Sequence, residues 1–181
     1  NVYSEEDKVL TGKSYVAPWQ GGFGTTLSWK GLTLDAQFSW VANRWVMNND
    51  RFFDESNGLY SSAYNQSTEL FNRWKEPGDV TTLPRYGVTP EMDTHLIEDA
   101  SFLRLQNVTV GYTLPKPWLA KAFIQSVRVY FTGYNLFCFT NYSGYDPEVD
   151  TSSKSNPMTP GVDFAAYPKS RSYVAGINVT F

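Results

Sequence analysis

Five stretches of this chain alternate between apolar and polar residues. In 172–181, Tyr173, Ala175, Ile177, Val179 and Phe181 share one parity, while Ser172, Val174, Gly176, Asn178 and Thr180 share the other. A period of two places each set on its own face of a β-strand. In 22–30, Phe23, Thr25, Leu27 and Trp29 oppose Gly24, Thr26 and Ser28. In 32–43, Leu32, Leu34, Ala36, Phe38, Trp40 and Ala42 oppose Thr33, Asp35, Gln37, Ser39 and Asn43. These two runs flank Lys30-Gly31, a connection short enough to predict a hairpin.

The third stretch, 102–114, changes parity partway. Leu103 and Leu105 are odd, whereas Val108, Val110, Tyr112 and Leu114 are even. A β-bulge near Gln106-Asn107 returns all six to one face and turns Arg104 to the other. In the fourth stretch, 126–139, Val127, Val129, Phe131 and Phe137 oppose Arg128, Tyr130, Thr132 and Tyr134.

The connections alternate in length. Two residues join the first pair of strands and about eleven (115–125) the third pair, whereas 44–101 and 140–170 are long. Compact soluble domains rarely carry loops above ~12–15 residues. Short turns on one side and long loops on the other are the habit of outer-membrane β-barrels, whose strands keep one face in lipid and one toward a polar interior. Strand lengths near the ~9–11 residues of a tilted membrane strand agree. With a periplasmic C-terminus, both long connections lie outside the cell. Within the first of them, 67–75 predicts a short helix capped by Ser67 or Thr68 and ended by Pro77-Gly78. The fold class is therefore all-β: antiparallel transmembrane barrel strands with long extracellular loops.

Composition changes this picture little. Aromatic residues make up 17% of the chain and charged residues 18%, the latter below the usual quarter. A net charge of −3 argues against nucleic acid, which requires a basic stripe. The mean hydropathy of −0.38 does not decide between a soluble domain and a barrel with a polar lumen. One cysteine, Cys138, rules out an internal disulfide and a thiolate zinc site. No signal-peptide pattern opens the chain.

Catalytic chemistry is poorly represented. His95, the single histidine, lacks partners at metal-ligand spacing and reads as an incidental surface residue. There is no G-x-S-x-G elbow, P-loop or dinucleotide fingerprint. These features predict no enzyme, cofactor or metal site. Asp146, Glu148 and Asp150 alternate like oxygen ligands but lack calcium-loop spacing, so a solvated turn at Asp146-Pro147 is expected. Of the Asn-x-Ser/Thr sequons, those at Asn107 and Asn178 fall in strands and read as chance.

The aromatics fall into two groups. Trp29, Tyr112, Tyr173 and Phe181 lie where interfacial girdles place them. Trp45, Phe52, Phe53, Tyr60, Tyr64, Phe71, Trp74 and Tyr86 occupy the long second connection. Trp45, Tyr60, Tyr64 and Trp74 are candidates for stacking on sugars or contacting a partner lid; the alternative is a small core internal to the loop.

Several runs resemble the C-terminal portion of SusC-like TonB-dependent outer-membrane transporters. They are FLRLQNVTVGYTLP from Phe102 to Pro115, VRVYFTGYNLF from Val127 to Phe137, TNYSGYDPE from Thr140 to Glu148, and the ending GINVTF from Gly176 to Phe181. Weaker likenesses lie around Gly21-Gly22-Phe23, Lys30-Gly31, Asn72-Arg73-Trp74 and Pro77-Gly78-Asp79. The resemblance implies a barrel of the 22-stranded, plugged type. It also implies import of oligosaccharides or peptides with a SusD-like surface lipoprotein as lid and energy passed from TonB. Five strands cannot close a barrel, and open edges are not tolerated in lipid. Residues 1–181 are thus expected to be the C-terminal part of a longer polypeptide whose plug and TonB-contacting region lie elsewhere. Gly176, Val179 and Phe181 match the terminal signal read by the barrel-assembly machinery, with Ala175 where a polar residue is usual.

By parity, Asp35, Gln37, Arg128 and Tyr130 face the lumen and line a path for polar substrate, while the opposite face meets outer-membrane lipid of a Gram-negative bacterium. The alternative reading is a soluble all-β carbohydrate-binding domain whose apolar faces pack together in a sandwich.

Overall fold

The computed structural model describes residues 4–88, 91–119, 123–148, 150 and 160–181. In chain order the strands and helices are β1 (Trp19–Trp29), β2 (Leu32–Ala42), β3 (Trp45–Asn48), α1 (Asn49–Asp54), β4 (Ile97–Asp99), β5 (Phe102–Thr113), α2 (Lys116–Leu119), β6 (Ser126–Thr140), β7 (Val162–Asp163) and β8 (Ser172–Thr180). They sort into two compact units, a sheet unit (18–42, 101–141, 168–181) and a loop unit (1–17, 43–100, 142–167).

The sheet unit is a single antiparallel sheet in the order β1-β2-β5-β6-β8. It is not closed: the outer edges of β1 and β8 carry no strand partner among the described residues. Lys30 (φ 47°) and Gly31 (φ 90°) turn β1 into β2. Positive φ at both central residues is the geometry whose twist suits a two-residue hairpin. Gly31 is needed for space as well, because a Cβ there would lie 2.7 Å from the Thr113 carbonyl oxygen. The Thr113 N–H donates to the Gly31 carbonyl at 2.8 Å, tying the turn to the end of β5.

The register carries each face across all five strands, since directly opposed residues share a face. On one face run Trp29, Leu32, Tyr112, Val129 and Ile177, and beside them Leu27, Leu34, Val110, Phe131 and Ala175. On the other run Thr26, Asp35, Thr109, Thr132 and Val174, and beside them Ser28, Thr33, Gly111, Tyr130 and Gly176. The expected bulge is present: Gln37 and Phe38 are adjacent on β2, yet oppose Asn107 and Leu105 on β5, leaving Gln106 as the extra residue. Leu103 and Leu105 thereby join Val108 and Val110 on the apolar face, and Arg104 sits on the polar face opposite Ser39 and Cys138. On the facing strand β6, Asn135 takes up the irregularity at φ 53°.

The apolar face has little packed against it. Phe23, Leu27, Trp29, Phe131, Phe137, Phe139, Tyr173 and Ile177 are each half or more exposed. Its internal contacts are cross-strand: Phe23 stacks on Phe38 with ring centroids 4.9 Å apart, and Phe131 on Tyr173 at 6.0 Å.

The loop unit comes from the N-terminal segment and the two long connections. A small sheet of order β4-β3-β7 pairs β3 antiparallel to β4 and parallel to β7. Its core is Val46, Ala100 and Tyr142, with Tyr15 packed beside them. A second cluster joins the rings of Phe52, Phe53, Tyr60, Tyr64 and Phe164. The helix expected over 67–75 is one shorter 3-10 segment, Thr68–Asn72, capped by Ser67, whose Oγ accepts the Glu69 N–H at 3.1 Å.

Candidate functional site

The polar face of the sheet is a hydrogen-bonded surface. Thr26 Oγ1 donates to Asp35 Oδ1 at 2.8 Å, and the hydroxyls of Thr109 and Thr132 meet at 2.8 Å. Arg128 reaches across β5 to donate from Nη2 to Thr33 Oγ1 at 3.1 Å, with Asp35 Oδ2 at 3.9 Å. Gln106 Nε2 donates to Ser39 Oγ at 2.9 Å and Asn107 Nδ2 to Gln37 Oε1 at 3.3 Å. Two consecutive side chains of β5 thus bond toward the same face, which is what a bulge permits. Asp35, Gln37, Arg128 and Tyr130 all lie on this face. The structure brings Asp35 and Arg128 together, whereas Gln37 bonds Asn107 and the Tyr130 ring lies against Gly176.

The alternation that produces this surface has an energetic cause. A strand side chain facing hydrocarbon gains from being apolar, while the opposite side chain must find hydrogen bonds or water. Asp35 is the single acid of the five strands, and Thr26, Thr33 and Arg128 surround it.

The four loop aromatics separate. Tyr60 and Tyr64 belong to the ring cluster around Phe53. Trp45 is not in an irregular loop but on strand β3, where Lys13 Nζ lies 4.1 Å from its ring centre and its Nε1–H donates to Asn43 Oδ1 at 3.0 Å. Trp74 is half-buried and lines a cavity of about 640 Å³ with Phe52, Leu83, Pro84 and Arg51.

Two expectations for the loop unit are corrected. His95 is not an incidental surface residue. Its Nε2 lies 3.4 Å from Glu55 Oε2, its Nδ1 pairs with the Asp93 carboxylate, and its side chain is 18% exposed. Spacing along the chain missed this because Glu55, the C-cap residue of α1, lies forty residues earlier. The hydrogen bond to Glu55 and, after the opposing effect of burial, the one to Asp93 hold the His95 pKa above its ordinary value. Glu55 would be pushed up by burial, but hydrogen bonds from His95 and Arg51 outweigh that and hold it low. Arg51 closes the group, donating from Nε to Glu55 at 2.8 Å and from Nη1 to Glu98 at 2.9 Å. Glu98 in turn accepts the Ser143 N–H and Oγ–H at 2.9 and 2.8 Å.

The second correction concerns Asp146, which is buried rather than solvated. The turn itself forms, with Asp146 Oδ1 accepting the Glu148 N–H at 2.9 Å. No group of three or more His, Cys, Asp or Glu suited to a metal occurs among the described residues.

An open, two-faced antiparallel sheet with an exposed apolar face, short connections at one end and long ones at the other is a piece of transmembrane β-barrel wall. No family model matches the chain. Over 128 residues it is 37% identical to TonB-dependent receptor P3 of Formosa agariphila, covering 68% of this chain and 13% of that protein. Over 169 residues it is 28% identical to TonB-dependent receptor SusC of Bacteroides thetaiotaomicron, covering 87% of this chain and 15% of that protein. Among solved structures, the RagAB peptide importer matches in its open-open state with TM-score 0.86, 40% identity, and coverage of 99% of this chain and 19% of that chain. The closed-closed state matches with TM-score 0.85. The chain belongs to the SusC-like TonB-dependent receptors and is a segment of their outer-membrane barrel. It spans 13% to 18% of the length of the curated relatives it matches.

Proposed function

We propose that the chain contributes five wall strands and two extracellular loops to a barrel that imports nutrients across the outer membrane, without enzymatic activity of its own. The supporting observation is the segregation of the sheet into a continuous apolar face and a continuous hydrogen-bonded polar face. In this reading residues 1–181 form the C-terminal part of the barrel, with plug and TonB contact elsewhere in a longer polypeptide. A SusD-like lipoprotein is the lid partner, and the terminal strand is delivered by the barrel-assembly machinery.

The cargo is a peptide or an oligosaccharide. Identity of 40% with the peptide importer, against 28% with SusC, supports peptides. Asp35, Gln37, Arg128 and Tyr130 form part of the polar wall, and of the four loop candidates Trp45 and Trp74 lie outside the ring cluster. Exposed apolar strand faces speak against the soluble carbohydrate-binding alternative, which needs them packed together.

The test is extraction of the native polypeptide from outer membranes with detergent, followed by mass measurement, identification of co-purifying lipoprotein, and uptake assays with labelled peptides and oligosaccharides in a deletion strain. A species several times larger than this chain, with a lipoprotein partner and lost peptide uptake, is expected. A soluble species of the chain's own mass would overturn the proposal.

A further inference from the structure

At its short-turn end the apolar face carries a groove with a cation at the rim. β1 and β2 set Leu27 opposite Leu34 and Trp29 opposite Leu32. These four residues, with Ser28, line a cavity of about 190 Å³. Leu27, Trp29 and Leu32 remain exposed around it. Lys30 follows Trp29 in the turn, and its side chain folds back over the apolar face. Its Nζ lies 5.0 Å from the Trp29 ring centre. An ammonium that could have pointed into water is held instead beside the groove, attracted by the negative face of the ring. Tyr112 stands opposite Leu32 and brings its own ring to the turn, where a Cβ on Gly31 would lie 3.5 Å from Cε2.

No acid offsets this charge nearby. Residues 27–34 and 112–127 hold Lys30, Lys116 and Lys121 but no Asp or Glu. Asp35 stands on the opposite face, where it accepts the Thr26 hydroxyl. Among the described residues Lys30 has no ion-pair partner. Trp118, in the neighbouring short connection, is also mostly exposed. A narrow apolar groove takes hydrocarbon and an unpaired cation takes an anion. One amphipathic molecule supplies both.

We propose that the groove and Lys30 bind an anionic phospholipid from the leaflet at the short-turn end of the barrel. Its acyl chain lies along Leu27, Leu32 and Leu34, and its phosphate meets the Lys30 ammonium. The inference rests on the barrel reading above, which puts this face in lipid. Trp29 forms one wall of the groove and holds the ammonium at headgroup level, where interfacial aromatic rings settle. A zwitterionic lipid offers the same chain, but its own cation offsets the phosphate. The charge of Lys30 therefore sets the preference, and the groove alone does not.

The experiment uses the full-length protein, reconstituted into phosphatidylcholine vesicles with a trace of photoactivatable lipid. The probe is phosphatidylglycerol or phosphatidylcholine, each with the same diazirine on its acyl chain. Mass spectrometry then reads labelling of 27–34 relative to the rest of the barrel. Phosphatidylglycerol should label this segment about fivefold more than phosphatidylcholine, on the order of what one basic residue is worth at an anionic surface. Lys30→Asn, whose side chain tolerates the positive φ of 47° at this position, should bring the two probes to equality. Lys30→Arg should keep the difference. Arg171→Gln removes a charge at the opposite end of the sheet and should leave the difference intact. Heat-dependent gel mobility checks that each variant is folded. Equal labelling by both probes in the wild type overturns the inference. So does a preference that survives Lys30→Asn, or one that falls as far with Arg171→Gln. A wild-type protein that never shows heat-dependent mobility would instead refute the barrel reading, a separate outcome.

Discussion

The sheet unit and the loop unit divide the chain's charge very unequally. Of the 18 Asp and Glu residues, 17 lie in the loop unit and Asp35 alone in the sheet unit, whereas Lys and Arg split eight to seven. Formal net charge is therefore −9 in one unit and +6 in the other. The modest total of −3 conceals both. The units also hold together differently. The sheet is built from strand pairing and side chains that meet one rung at a time. The loop unit has a small buried core and a group of ionised side chains centred on Glu55 and Glu98. Hydrocarbon explains the contrast: a strand in lipid has no water to solvate charge, so its polar chemistry is confined to the inner face.

The contrast predicts where a charge is tolerated. Val110→Lys, on the apolar face, should prevent or sharply reduce membrane assembly, because lysine facing lipid costs about 2–4 kcal/mol near the bilayer midplane. Thr109→Lys, one residue away on the polar face, should assemble. Comparing folded barrel in outer membranes for the two variants checks this, and normal assembly of Val110→Lys would invert the face assignment.

The loop unit should respond in the opposite way, to loss of charge rather than to its introduction. Glu55→Ala removes the buried carboxylate that Arg51 and His95 share. It should cost about 1.5–3 kcal/mol locally, the worth of hydrogen bonds to a charged group. Proteolysis of intact membranes should then cut the loop unit faster while barrel amounts hold.

A smaller effect is expected from pH. His95 has a raised pKa in the folded state, so its pairing with Glu55 stabilises fully below the ordinary histidine value and is lost as pH rises through the raised one. Glu55 is lowered, so its contribution is present above the ordinary glutamate value and lost as pH falls through the lowered one. Loop protection, measured by hydrogen exchange, should be greatest between these titrations and decline first on the alkaline side. His95→Gln should remove the alkaline decline. An unchanged profile in that variant would detach the effect from His95.

Much of the sheet is legible in the sequence, because a period of two is imposed residue by residue. Even the bulge was readable, since a parity change between Leu105 and Val108 has few other physical explanations. Boundaries moved by only a few residues, the largest shift being β1, which starts at Trp19. The short strands β3, β4 and β7 were not legible, since two to four residues cannot display a period.

Sequence by itself therefore determined the faces of the sheet: which side chains share the apolar face, which share the polar one, and the parity of Asp35, Gln37, Arg128 and Tyr130. These are local consequences of backbone geometry acting on each residue in turn. Tertiary structure alone decided the partnerships. His95 meets Glu55, Arg128 crosses a bare glycine to Thr33, and Tyr130 lies on Gly176 because strands or loops distant along the chain come side by side. No periodicity encodes a contact whose two halves are separated by tens of residues.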